Sequence, residues 1–193
     1  MTAVATALPV VATAEVSAAT VQWRRRVLRI SSLCEIAFGT LWFANATRAV
    51  VPVASALVLL LGAGAFAAAI RATRGTAPRP SAPGARALER RITIATVAQV
   101  VVSAVVPLAL VATGHGSLVM PVVVVSVGVL FVWLHRLLAA PRLGFLGGAL
   151  IVVPVVALVT FSGSAAVTVM LFATGTLMLA TAAAGVREIT RRT

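Results

Sequence analysis

The sequence predicts an all-α protein: a six-transmembrane-helix bundle arranged as three helical hairpins, N-in/C-in. Three observations carry that prediction. Hydrophobic residues make up 61% of the 193-residue chain and charged residues only 10%, whereas a soluble domain is about a quarter charged. Six apolar segments lie between Val27 and Val186, each near the roughly 20 residues that a helix needs to cross a bilayer. Fifteen of the sixteen arginines fall in alternate gaps between those segments, and only Arg48 falls in another gap. Short loops rich in arginine stay on the inner face, so the alternation sets both the number of crossings and their direction.

Residues 1–22 are expected to form a mobile or interfacial tail ahead of the transmembrane domain, residues 23–193. The tail lacks the basic start of a secretory signal. Reading it as a seventh span is disfavoured by Pro9, several hydroxyls and Glu15, because a mid-span carboxylate costs about 2.5–3.5 kcal/mol. The expected spans are 27–47, 49–70, 92–113, 117–135, 143–161 and 165–186. Outer turns fall near Thr47–Arg48, at Gly114-His115-Gly116 and at Ser162-Gly163-Ser164, where glycine supplies the positive φ of a tight turn. The basic loop 71–91 holds Pro78, Pro80 and Pro83. It is expected to lack a fixed fold, except that Ala85–Arg91 extends the third helix inward. Pro107 and Pro154 fall inside the third and fifth spans, each removing one backbone hydrogen bond.

The formal net charge of +12 would point to nucleic acid in a soluble protein. Here the arginines flank spans, so the expected partners are the lipid bilayer and its anionic head groups, with no nucleic acid. The head-group contacts assigned to the longest loop are Arg71, Arg74, Arg79, Arg86, Arg90 and Arg91. All sixteen basic residues are arginine, beside abundant Ala and Val. That is the coding bias of a GC-rich bacterium, which makes the bacterial inner (plasma) membrane the expected location. Cys34 is the single cysteine, so no intramolecular disulfide can form.

Glu35, about two turns into the first span, is the sharpest candidate site, because ionisable residues at that depth are rare and costly. Its helical face runs Ser31, Glu35, Gly39, Trp42, Ala46 and suits a bundle interior. Gln99 lies at similar depth in the third span on a face with Thr96 and Ser103. The expected intramembrane polar site is therefore Glu35, Gln99, Ser31 and Ser103, with a neutral Glu35 carboxyl hydrogen-bonded to the Gln99 amide. Two uses are open: a packing contact, or a proton-accepting site in a small proton-coupled transporter or channel. On the sixth span, Met170, Thr174, Met178, Thr181 and Gly185 share a face that either packs or lines a pathway. His115 and His135 have no neighbour at metal-ligand spacing. With no nucleophile–base pair, phosphate loop or paired carboxylates, an enzyme, a cofactor and a metal site are not expected.

Gly39-Thr40-Leu41-Trp42, the turn near Pro52 and a small-residue second helix ending in arginine together resemble small six-helix bacterial membrane proteins that include the acid-resistance membrane protein family. Gly128-Val129-Leu130-Phe131, Leu137-Leu138, Pro141 and Gly147-Gly148 resemble a segment of uncharacterised bacterial membrane proteins of this size. Those proteins have a histidine where this chain has Leu130. The resemblance implies a non-enzymatic membrane protein linked to acid or envelope stress.

Overall fold

A computed structural model describes residues 8–74 and 85–190, with side chains from Thr20 onward. Six α-helices make up the described residues: α1 (Leu8–Val50), α2 (Pro52–Ala72), α3 (Ala85–Ala112), α4 (Val119–Leu138), α5 (Pro141–Thr160) and α6 (Gly163–Thr190). No strand is found among them. All six are long and apolar enough to span a membrane.

The boundaries differ from expectation in instructive ways. α1 begins at Leu8 and continues without interruption through the residues expected as a tail. No turn separates the expected tail from the first expected span. Residues 1–7 lie outside the described residues, as does the loop segment 75–84 with Arg79. α1 also runs past Thr47 and Arg48 to Val50, and α2 starts at Pro52. Proline is tolerated there because the first helical N–H has no partner to lose. α3 starts at Ala85, as expected of its inward extension. Gly114 and Gly163 take φ of +78° and +59°, the left-handed region that these two tight turns demand. α4 ends on Ala139, a non-glycine residue at φ +47°, a conformation costing about 1–2 kcal/mol. The strained turn reduces the α4–α5 connection to Ala139–Ala140 and places Pro141 and Arg142 in the first turn of α5.

α1 is the organising helix: its backbone packs along α2, α3, α4 and α6, most extensively α6, while α4 packs most extensively on α5. Glycines allow both close crossings. A Cβ on Gly39 would lie 3.2 Å from the Gly175 carbonyl, and one on Gly175 would lie 2.9 Å from the Gly39 carbonyl. A Cβ on Gly128 would lie 2.8 Å from the Gly147 carbonyl, and the reciprocal distance is 2.6 Å. Lipid tails are as apolar as leucine, so membrane helices associate through such close packing rather than through hydrophobic exclusion. The core lies along these crossings, with Leu143, Leu146, Leu150, Met170 and Met178 buried. α2 and α3 do not touch each other and remain almost wholly exposed.

Candidate functional site

The polar centre forms where α1, α5 and α6 meet. Successive turns of α1 present Ser31, Ser32 and Glu35, and all three are buried, Glu35 completely. From the first turn of α5, Arg142 reaches across to them. Its Nη1 donates to Glu35 Oε2 at 3.0 Å and to the Thr181 carbonyl of α6. Its Nη2 donates to Ser31 Oγ at 3.1 Å and Ser32 Oγ at 3.2 Å. The Arg142 side chain is 12% exposed and that of Glu35 is 0%, so this is a buried ion pair rather than a surface one.

The hydroxyls beside the carboxylate are committed elsewhere. Ser31 and Ser32 donate to the Leu28 carbonyl, and Thr181 donates to Leu177 and Met178 within its own helix. Threonine and serine in membrane helices satisfy themselves on their own backbone in this way. Glu35 Oε1 and Arg142 Nε are left buried without a hydrogen-bond partner. Gly185 makes room for the arrangement, since a Cβ there would overlap Ser32 Oγ and the Arg142 guanidinium.

The expected four-residue site therefore divides. Glu35 and Ser31 belong to the Arg142 cluster, whereas Gln99 and Ser103 belong to another. Gln99 Nε2 donates to Ser103 Oγ and to Ser126 Oγ, each at 2.9 Å, tying α3 to α4. The expected Glu35–Gln99 hydrogen bond is thus replaced: Glu35 meets the Arg142 guanidinium and Gln99 meets two serines. The physical reason is geometric: the Gln99 face of α3 turns to α4, and the serines of those two helices satisfy its amide. Ser31, Glu35, Gly39, Trp42 and Ala46 all face the interior, as do Met170, Thr174, Met178, Thr181 and Gly185 of α6.

Arg142 is the residue that sequence reasoning missed, having counted it as a topological charge. The available signal was its place directly after Pro141. A cation in the first turn opposes the helix dipole, so it needs compensation from another element. The crossing of α1 and α6 also had an overlooked signal. Gly39-Thr40-Leu41 and Gly175-Thr176-Leu177 are the same tripeptide, and their glycines meet.

At the arginine-rich end of the bundle, Arg24 pairs with Glu188 at 3.5 Å, with both side chains about a quarter exposed. Such a pair contributes about 0–1 kcal/mol. Trp23 Nε1 donates to the Ala85 carbonyl at 3.0 Å, and Arg29 Nε donates to Thr73 Oγ1 at 3.2 Å. Arg71, Arg74, Arg86, Arg90 and Arg91 are exposed. His115 lies exposed in the turn between α3 and α4, 3.3 Å from Thr113 Oγ1. Among the described residues, no three His, Cys, Asp or Glu side chains gather as a metal site would require.

Compared with protein-family models, curated proteins and solved structures, the chain matches none.

Proposed function

We propose that this chain is a non-enzymatic, multi-pass protein of the bacterial inner membrane, an envelope or stress-related component whose buried ion pair holds its helices together. Both termini and the 71–91 loop lie in the cytoplasm, and the helices follow one another as three hairpins. The fifteen-to-one partition of arginines supports the orientation. The resemblance to acid-resistance membrane proteins supports the stress link. The observation that carries the structural role is the seating of Glu35 with no exposed surface against Arg142. A proton-coupled carrier needs its carboxyl alternately wet and dry. Glu35 is instead held by a guanidinium that is itself anchored to Thr181, Ser31 and Ser32. Protonating Glu35 would leave Arg142 buried without its counter-charge, which is costly.

The test is proton flux in proteoliposomes of the intact chain and of Glu35→Gln. The expected result is no proton-coupled flux above that of empty vesicles in either. A flux that is present in the intact chain and lost in a folded Glu35→Gln would replace this reading with a proton-coupled transporter.

A further inference from the structure

Although the backbone of α1 packs along four other helices, one of its faces is open. Ile30, Cys34, Phe38, Leu41 and Asn45 follow at helical spacing and are all exposed, Phe38 by 50% and Leu41 by 48%. α2 walls one side of this face, with Thr40 of α1 seated over Gly62 and Arg29 bonded to Thr73. α3 adjoins it at the basic end, where Trp23 Nε1 donates to the Ala85 carbonyl. Since α2 and α3 do not touch each other, the face between them is the floor of a cleft.

The cleft differs in character along its length. Its floor is apolar through Ile30, Phe38 and Leu41. Its mouth at the basic end is cationic: Arg26 lies between the Arg29–Thr73 and Trp23–Ala85 attachments, with its guanidinium 5.8 Å from the centre of the Trp23 ring. Arg74 follows Thr73 of the α2 attachment, Arg86 follows Ala85 of the α3 attachment, and both are exposed. Two acids share that end: Glu89, one turn along α3, and Glu188, which pairs with Arg24. A tryptophan with arginines above an apolar crevice matches the amphiphilic profile of a lipid at the membrane interface.

We propose that this cleft is a binding site for an anionic phospholipid. One acyl chain lies along Cys34, Phe38 and Leu41, and the phosphate sits among Arg26, Arg74 and Arg86. In a bilayer, water cannot fill an apolar crevice, and an empty one forfeits the contacts of its lining, so an acyl chain is the natural occupant. The three cations then select the charge of its head group. The proposal relies on the membrane placement of α1 but not on the role assigned to Glu35.

Cys34, the single cysteine, supplies the probe, because it lies exposed on the floor. The full chain, carrying a bimane on Cys34, is reconstituted in phosphatidylcholine vesicles. Quenching is then compared for trace phosphatidylglycerol and trace phosphatidylcholine bearing the same acyl-chain nitroxide. The reference is Leu108→Cys in a Cys34→Ser background, since Leu108 is 72% exposed and lies near the opposite end of α3 from Arg86. The preference for phosphatidylglycerol at Cys34 is expected to exceed that at position 108 by about fivefold or more, the effect of one arginine at an anionic head group. It should fall to the reference value in Arg26→Gln/Arg74→Gln/Arg86→Gln, and in the intact chain when the salt is raised to molar levels. Arg136→Gln/Arg187→Gln should leave it unchanged. A preference at Cys34 no greater than at position 108, or one that survives both the triple substitution and high salt, overturns the site. Absence of quenching by either lipid at Cys34 would instead overturn the membrane placement of that face, and the site with it.

Discussion

The two partners of the buried ion pair should not be equally important, and the asymmetry follows from their bonding. Glu35 has one direct hydrogen bond, from Arg142, and its second oxygen has none. Arg142 has four: to Glu35, the Thr181 carbonyl, Ser31 and Ser32. In Glu35→Gln the amide oxygen still accepts from Nη1, and the three remaining contacts hold the guanidinium. The loss is that of one charge-assisted bond reduced to a neutral acceptor, about 1–2 kcal/mol. In Arg142→Met the carboxylate keeps no donor at a site with no solvent exposure. Leaving a buried charge unpaired costs about 3–5 kcal/mol, limited only by the carboxyl taking up a proton. Replacing both, as in Glu35→Met/Arg142→Met, removes both charges together, so its cost should fall well short of the sum of Glu35→Met and Arg142→Met. The shortfall is expected to reach about 2 kcal/mol, within the range of couplings between contacting residues. Reversible unfolding of the purified chain in mixed micelles by added SDS, followed by far-ultraviolet circular dichroism, gives each free energy. Additivity of the two Met substitutions, or a larger loss in Glu35→Gln than in Arg142→Met, would refute the assignment of Arg142 as the anchor of the junction.

Gly185→Ala places a methyl group where Ser32 Oγ and the Arg142 guanidinium now lie, and should lower stability by about 1–3 kcal/mol through overpacking. Gly148→Ala and Gly64→Ala put the same methyl group into open space; in the same unfolding assay they should be neutral or stabilising, by up to about 1 kcal/mol. Gly147→Ala should weaken the α4–α5 crossing by more than either of these, because its Cβ meets the Gly128 carbonyl and the Val132 backbone nitrogen, at 2.6 and 2.7 Å. Cysteines introduced at Ala82 and Ser164 in a Cys34→Ser background should react with a membrane-impermeant maleimide from the cytoplasmic and periplasmic side respectively; periplasmic labelling at Ala82 would reverse the proposed topology.

The six helices were legible because each is an apolar run of spanning length, and their punctuation was legible because Gly114, Gly163, Pro52 and Pro141 act locally. The partners of the polar side chains were not, for a reason specific to membranes. A helix in a soluble bundle declares its inner face by an apolar stripe, but these helices are apolar on every side, and their packing depends on where small residues permit approach. Small residues alone do not reveal that. Gly39, Gly175, Gly128 and Gly147 lie against backbone at crossings, whereas Gly64 and Gly148 face open space, and nothing in their immediate sequence separates the two groups. Depth was equally uninformative: Gln99 lies level with Glu35 along its span, but its face turns to Ser126 of α4. Arg142 shows where more could have been read. A cation at a helix start is opposed by the dipole, and Glu35 is the only acid within an expected span. Weighing those two electrostatic debts against each other would have paired them across 107 residues, without any knowledge of which helices adjoin.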